Sequence, residues 1–188
     1  MKGIIAFYLQ FTGKEFSILH KVVSMVPGFI IFLIASPLVI YKISASLSNY
    51  IPLTFPRTVE LGIMAGAFCM SMVLMSLALF ELWTKGNGTP APITPTRRLV
   101  TTGPYRWCRN PIELGTNIYI LGLGIFFDSL ATGIICMLFG LALGTAYIFF
   151  IEEKEMLARF GKPYDTYLHS VPFMSFPCLS KLNRENKK

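Results

Sequence analysis

The feature that most constrains this chain is a series of apolar runs long enough to cross a bilayer. Val22 to Tyr41 carries no formal charge, and Val59 to Leu82, Ile112 to Phe127 and Leu130 to Ile151 follow it. A hydrocarbon core of about 30 Å takes roughly 20 helical residues. Only helices and closed barrels satisfy their own backbone polar groups there. The runs therefore predict an all-α integral membrane bundle of about four transmembrane helices plus interfacial helices. Composition agrees: of 188 residues 53% are hydrophobic and 14% charged, with a mean hydropathy of +0.56. Such a chain lies outside the range of soluble domains. Spans of this length leave little for a second core, so residues 1–188 read as a single membrane-embedded domain. Within it, 1–83 holds an N-terminal segment and two spans, 84–172 a hairpin half, and 173–188 a tail.

Along the chain, Ile4 to Phe11 is too short to span and lacks a small-residue cleavage site, so it reads as an interfacial segment rather than a signal peptide. Pro27 and Pro37 should bend or loosen the first span, with neighbouring helices satisfying the freed carbonyls. Ser44 to Arg57, with Pro52 and Pro56, reads as a loop. In the second span Gly62, Ala65, Gly66, Ala67, Ser71, Ser76 and Ala78 permit close helix approach. Met64, Met70, Met72 and Met75 are adaptable packing. The connection Trp83 to Pro111, rich in Gly, Pro and Thr, is an ordered or a flexible loop. Only Asp128 and Ser129 separate the last two runs, which predicts an antiparallel hairpin. Beyond Ile151 the stripe Leu157, Phe160, Tyr164, Tyr167 predicts two short interfacial helices kinked at Gly161 and Pro163. Pro172 to Pro177 has no regular reading, and Leu179 to Lys188 reads as loose.

Net charge is +7, but the basic residues flank the apolar runs, where they set orientation or meet headgroups, so nucleic acid is not the implied partner. Lys85, Arg97, Arg98, Arg106 and Arg109 crowd one connection. The positive-inside rule then predicts a multi-pass protein with that connection and both termini cytoplasmic. Cys69, Cys108, Cys136 and Cys178 have no metal or redox spacing, and His20 and His169 are far apart, so no metal site is expected.

The hairpin brings two polar patches to one membrane face: Gly103 to Glu113 before it, and Glu152 to Tyr167 after it. Arg106 and Arg109 then face Glu152 and Glu153. Such a pocket suits a zwitterionic amino-acid head, with an arginine on its carboxylate and a glutamate on its ammonium group or on ribose hydroxyls. The amides opening the span at Pro111 could help receive an anion. The alternative is that the arginines are topology anchors and the acids solvated helix-start residues.

Gly88-Thr89-Pro90 with Pro92, Leu99-Val100-x-x-Gly103-Pro104-Tyr105-Arg106-x-x-Arg109-Asn110-Pro111, and Glu152-Glu153 followed by Phe160-Gly161-x-x-Tyr164-x-x-Tyr167 carry a resemblance. The chain resembles the membrane methyltransferases grouped with isoprenylcysteine carboxyl methyltransferase and phospholipid N-methyltransferase, over roughly Gly88 to Pro172. The resemblance implies that this half binds S-adenosylmethionine at the cytoplasmic face and that a lipophilic acceptor enters from the bilayer. It implies cofactor contacts at Gly103, Tyr105, Arg106, Arg109, Asn110, Pro111, Glu152 and Glu153, with Arg109, Glu153 and Glu113 nearest the chemistry. Many relatives have histidine at the position of Asn110 and tyrosine at that of Glu113. Glu113 is thus a carboxylate at the head of a span, where it could meet the cofactor's sulfonium side or an acceptor amine, or pair with Arg106 or Arg109. Two other readings stand beside this one: a nicotinamide-dependent reductase of the sterol type, and a non-enzymatic membrane scaffold. An isoprenylated cysteine, a phospholipid amine and a small lipophile all fit as acceptors.

Overall fold

A computed structural model describes residues 2–51, 53 and 55–176. The tail from Leu179, together with Cys178 and Pro52, lies outside the described residues. The described chain is helical: α1 (Lys2–Leu9), α2 (Ile18–Ser48), α3 (Arg57–Thr84), α4 (Pro111–Phe127), α5 (Leu130–Phe160) and α6 (Lys162–Ser170). A short 3₁₀ turn, Gly103–Arg106, precedes α4. Among the described residues the extended pairing is a single bridge between Thr89 and Pro95. Helices α2, α3 and α5 are long and apolar enough to cross a membrane, and α4 is a shorter apolar helix. At 17 residues and ~1.5 Å per residue, α4 falls short of the hydrocarbon thickness.

The Ser17 hydroxyl caps α2 by accepting from the His20 amide, and the helix runs past the expected span at both ends. Between Pro27 and Pro37 it widens into a π stretch, Ile31–Ala35, the form the expected loosening takes. Pro37 has no N–H to offer the preceding turn. The Leu33 carbonyl in that turn accepts instead from the Tyr119 hydroxyl of α4, 3.0 Å away.

Glycines set how closely α4 approaches its neighbours. A Cβ on Gly115 would stand 2.5 Å from Met75 of α3, and one on Gly122 would stand 2.8 Å from Phe68. The Ser71 hydroxyl donates to the Gly115 carbonyl at 2.8 Å. The expectation of close approach thus holds for Ala67, Ser71 and Ala78, which are buried. It fails for Gly62 and Gly66, which meet no neighbour, because they lie on the faces of α3 turned away from α4.

Helices α4 and α5 form the expected hairpin. At the far end from the polar patches, one ion pair on α3 clamps it. Arg57 donates to the Ile125, Phe126 and Asp128 carbonyls at 3.0, 3.2 and 3.1 Å. Its partner Glu60 accepts from the Leu130 amide at 2.9 Å, so the last carbonyls of α4 and the first amide of α5 are both satisfied.

The ordered reading of the long connection holds, and one expectation is corrected. The connection 85–102 is an ordered loop: Thr94 bonds both Thr89 and Ser24 through its hydroxyl at 2.6 Å, and the Arg97 amide donates to the Gly86 carbonyl at 2.8 Å. A Cβ on Gly88 would overlap the Thr96 backbone. The segment after Ile151 is not a separate interfacial helix. Nothing between Tyr147 and Phe160 breaks the helix; a π stretch, Ile148–Glu152, takes up the irregularity, and α5 ends only at Gly161, whose φ of +58° suits glycine.

Candidate active site

The two polar patches meet through a single ion pair. The Arg109 Nη1 atom donates to the Glu153 carboxylate at 2.7 Å, with the side chains 13% and 17% exposed. Local structure sets up both partners. Gly103, at φ +58°, opens the 3₁₀ turn, and buried Pro111 starts α4 with the fixed φ a first turn requires. Arg109 lies in the link between them. Its amide donates to the Pro172 carbonyl at 3.1 Å, and its guanidinium stands 5.6 Å from the Phe173 ring. On the other side, the π stretch ends at Glu152 and delivers Glu153 toward Arg109.

Around this pair the other sequence-predicted residues take different positions. Arg106 is exposed and makes no ion pair among the described residues. Glu152 is also exposed, and it stands within electrostatic reach of Glu113, Glu153, Glu155 and Arg159. Asn110 is turned to the tail, its amide donating to the Phe173 carbonyl at 3.1 Å. Tyr105 is buried, and its carbonyl accepts from the Tyr167 hydroxyl at 2.7 Å. Gly103 backs Glu81, whose side chain a Cβ there would meet at 2.6 Å.

Glu113 pairs with neither arginine among the described residues. It projects from the first turn of α4 toward α5, accepting from the Asn117 amide at 2.7 Å. It lies directly over Gly144, where any Cβ would overlap its carboxylate. Asn117 stands in turn over Gly140, at 2.6 Å from a Cβ placed there. Two polar residues four apart on α4 thus fit over two glycines four apart on α5.

Among the described residues several polar atoms here are buried without a hydrogen-bond partner, including Arg109 Nε, Asn117 Oδ1 and Arg159 Nε. Burial raises the Tyr105, Tyr164 and Tyr167 hydroxyls above the ordinary phenol value, with nearby carboxylates adding to the effect for Tyr105 and Tyr164. All three remain proton donors at physiological pH.

Sequence reasoning passed over the Glu155–Arg159 pair, 2.9 Å apart and nearly buried. Its i,i+4 spacing was visible as a signal. It also passed over Glu81, which gathers the Thr102 hydroxyl at 2.5 Å and the Lys85 ammonium at 3.0 Å. The i,i+4 spacing of Glu81 and Lys85 was a local signal for that half of the contact, whereas Thr102 reaches Glu81 only through the folded loop.

Comparison with known proteins bears on this arrangement. The phospholipid methyltransferase family model matches residues 61–163, more than half of the chain. The match contains Arg109, Glu153 and the hairpin that joins them. The chain belongs to the phospholipid methyltransferase family. Membership of this family of membrane methyltransferases favours methyl transfer over the reductase and scaffold readings. The chain is also similar to the nickel-cobalt-cadmium resistance protein NccN of Alcaligenes xylosoxydans xylosoxydans. The two are 34% identical over 89 residues, 47% of this chain and 40% of that protein. The chain thus aligns with well under half of that relative's length. Among the described residues no three His, Cys, Asp or Glu side chains converge as they would around a metal ion. No solved structure matches the chain.

Proposed function

We propose that this protein transfers the methyl group of S-adenosylmethionine to a lipophilic acceptor drawn from the bilayer, at the cytoplasmic membrane face. The observation that carries the reading is the Arg109–Glu153 pair, which joins the two motif segments of a methyltransferase family at one end of the bundle. The chemistry of the surrounding groups fits the cofactor's amino-acid head. Among the described residues Arg109 has a buried Nε donor without a partner, and exposed Arg106 makes no ion pair, leaving a guanidinium fork suited to a carboxylate. Glu152 offers a carboxylate for an ammonium group or ribose hydroxyls. The basic connection 85–109 supports the cytoplasmic orientation.

When bound, the cofactor supplies a methyl group already activated on a sulfonium. The chain's own work is therefore alignment, desolvation and exclusion of water, with no need for a triad. Arg109 and Glu153 fix the start of α4 against α5. Protonated Tyr105 and Tyr164, both within electrostatic reach of Glu152, add hydroxyl donors to this end of the bundle. In this reading Glu113, which accepts from Asn117, is the carboxylate that takes a proton from an acceptor arriving as an ammonium. A carboxylate or thiolate acceptor needs no such help.

The test is incubation of the full chain in detergent with methyl-labelled S-adenosylmethionine and a membrane extract. Label should enter a lipophilic product and be lost with Arg109→Ala. Absence of label from every fraction would contradict the reading, and a copurified nicotinamide nucleotide would point to the reductase instead.

A further inference from the structure

The structure assigns Glu81 of α3 as a positioning residue of the proposed cofactor site. It seats the Gly103–Arg106 turn, which carries Arg106 and leads to Arg109. The role presupposes the proposed function and falls on a residue outside both motif segments.

Glu81 lies in the last turn of α3, where the negative pole of a helix disfavours a carboxylate unless it is partnered. Both of its oxygens are partnered. One accepts from the Thr102 hydroxyl at 2.5 Å, and the Lys85 ammonium stands 3.1 and 3.0 Å from Oε1 and Oε2. The side chain is only 12% exposed. A carboxylate occupied in this way is not a free ligand for a cofactor; its contacts hold the turn.

Thr102 is the residue from which the turn starts. Its carbonyl accepts from the Tyr105 amide at 3.2 Å, while its hydroxyl makes no cap and reaches across to α3 instead. Gly103 follows at φ +58° and lies against Glu81, so that a Cβ there would stand 2.6 Å from Cγ and 2.8 Å from Oε1. Glycine is therefore required by the backbone and by the carboxylate together. The same face of α3 extends the seat. Ala78, fully buried, and Leu82 pack with Tyr105 and Val100, and Lys85 also donates to the Thr102 hydroxyl oxygen at 3.1 Å. Ala78, Glu81, Leu82 and Lys85 recur at the spacing of one helical stripe. Arg106 is exposed and makes no ion pair among the described residues. Its placement therefore follows from the backbone of a turn anchored on Glu81.

Titration calorimetry of the full chain in detergent with S-adenosylmethionine, run well below the unfolding temperature of every variant, tests the assignment. Thr102→Val and Glu81→Leu should each weaken binding about tenfold, as loss of a hydrogen bond to a charged group would. The double variant should bind little more weakly than either, because both changes remove one contact. Glu81→Gln keeps an oxygen for the Thr102 hydroxyl and should bind within about threefold of wild type. A side chain that only filled space would be replaced as well by leucine. Thr102 is exposed, so Thr102→Val leaves the core intact and reports the contact whether or not Glu81→Leu folds. Unchanged affinity in Thr102→Val beside a wild type that binds, or additive losses in the double variant, would overturn the assignment alone. Absence of binding by the wild type would remove the proposed function and this assignment with it.

Discussion

At the scale of single residues, the site rests on side chains whose partners lie far away in sequence. The Tyr167 hydroxyl reaches back to the Tyr105 carbonyl at 2.7 Å across 62 positions, tying α6 to the turn that leads into Arg109. Tyr167→Phe removes that bond and leaves a buried carbonyl short of a donor, so it should cost ~1–3 kcal/mol. Thermal unfolding in detergent would show this as a lowered Tm. Arg106, Arg109, Glu152 and Glu153 were legible in the sequence as residue types in a recognisable order. Their unequal roles were not. Whether a guanidinium is buried on a carboxylate, as Arg109 is, or left exposed, as Arg106 is, depends on Pro172 and Phe173 folding back beside Arg109. Pro172 to Pro177 carries no periodic pattern from which that return could be read.

At the scale of elements, the contact between α4 and α5 is made by matched irregularities. Glu113 and Asn117 project from one helix into the space left by Gly144 and Gly140 on the other. Gly144→Ala should therefore displace the Glu113 carboxylate and lower stability by roughly 1–3 kcal/mol, the usual cost of overpacking. Gly62→Ala on α3, where a Cβ meets nothing, should be neutral or slightly stabilising, because alanine is the better helix former. Paired thermal melts of the two variants separate the cases. Sequence periodicity announced the hairpin because Asp128 and Ser129 leave room only for a tight turn. It misplaced the end of α5, since Glu152, Glu153 and Lys154 read as a polar boundary although no proline or glycine stops the helix before Gly161. Composition marks where a membrane ends, whereas backbone chemistry marks where a helix ends.

At the scale of the whole molecule, polar chemistry concentrates at both ends of an apolar bundle. The Arg57–Glu60 clamp closes the hairpin at one end, and the candidate active site occupies the other. Buried phenols give the latter end a definite pH response. Tyr105, Tyr164 and Tyr167 have hydroxyl pKa values raised by burial above the ordinary value of 10.0. The folded state therefore holds protons that the unfolded state releases. Stability from these groups is fully present below about pH 10 and declines as pH rises from there toward the raised values. Unfolding followed from pH 8 upward should show that decline, and it should be shallower in a variant with all three tyrosines replaced by phenylalanine. A decline of equal steepness in that variant would assign the alkaline response to other groups.

Isothermal titration calorimetry of the full chain in detergent with S-adenosylmethionine tests the central claim most directly. The wild type should bind at a single saturable site. Arg109→Ala and Glu153→Ala, checked for retained helicity, should each bind at least tenfold more weakly, about 1.4 kcal/mol or more in binding free energy. No heat of binding from the intact wild-type chain, or undiminished binding by both variants, would contradict the assignment of this end of the bundle to the cofactor.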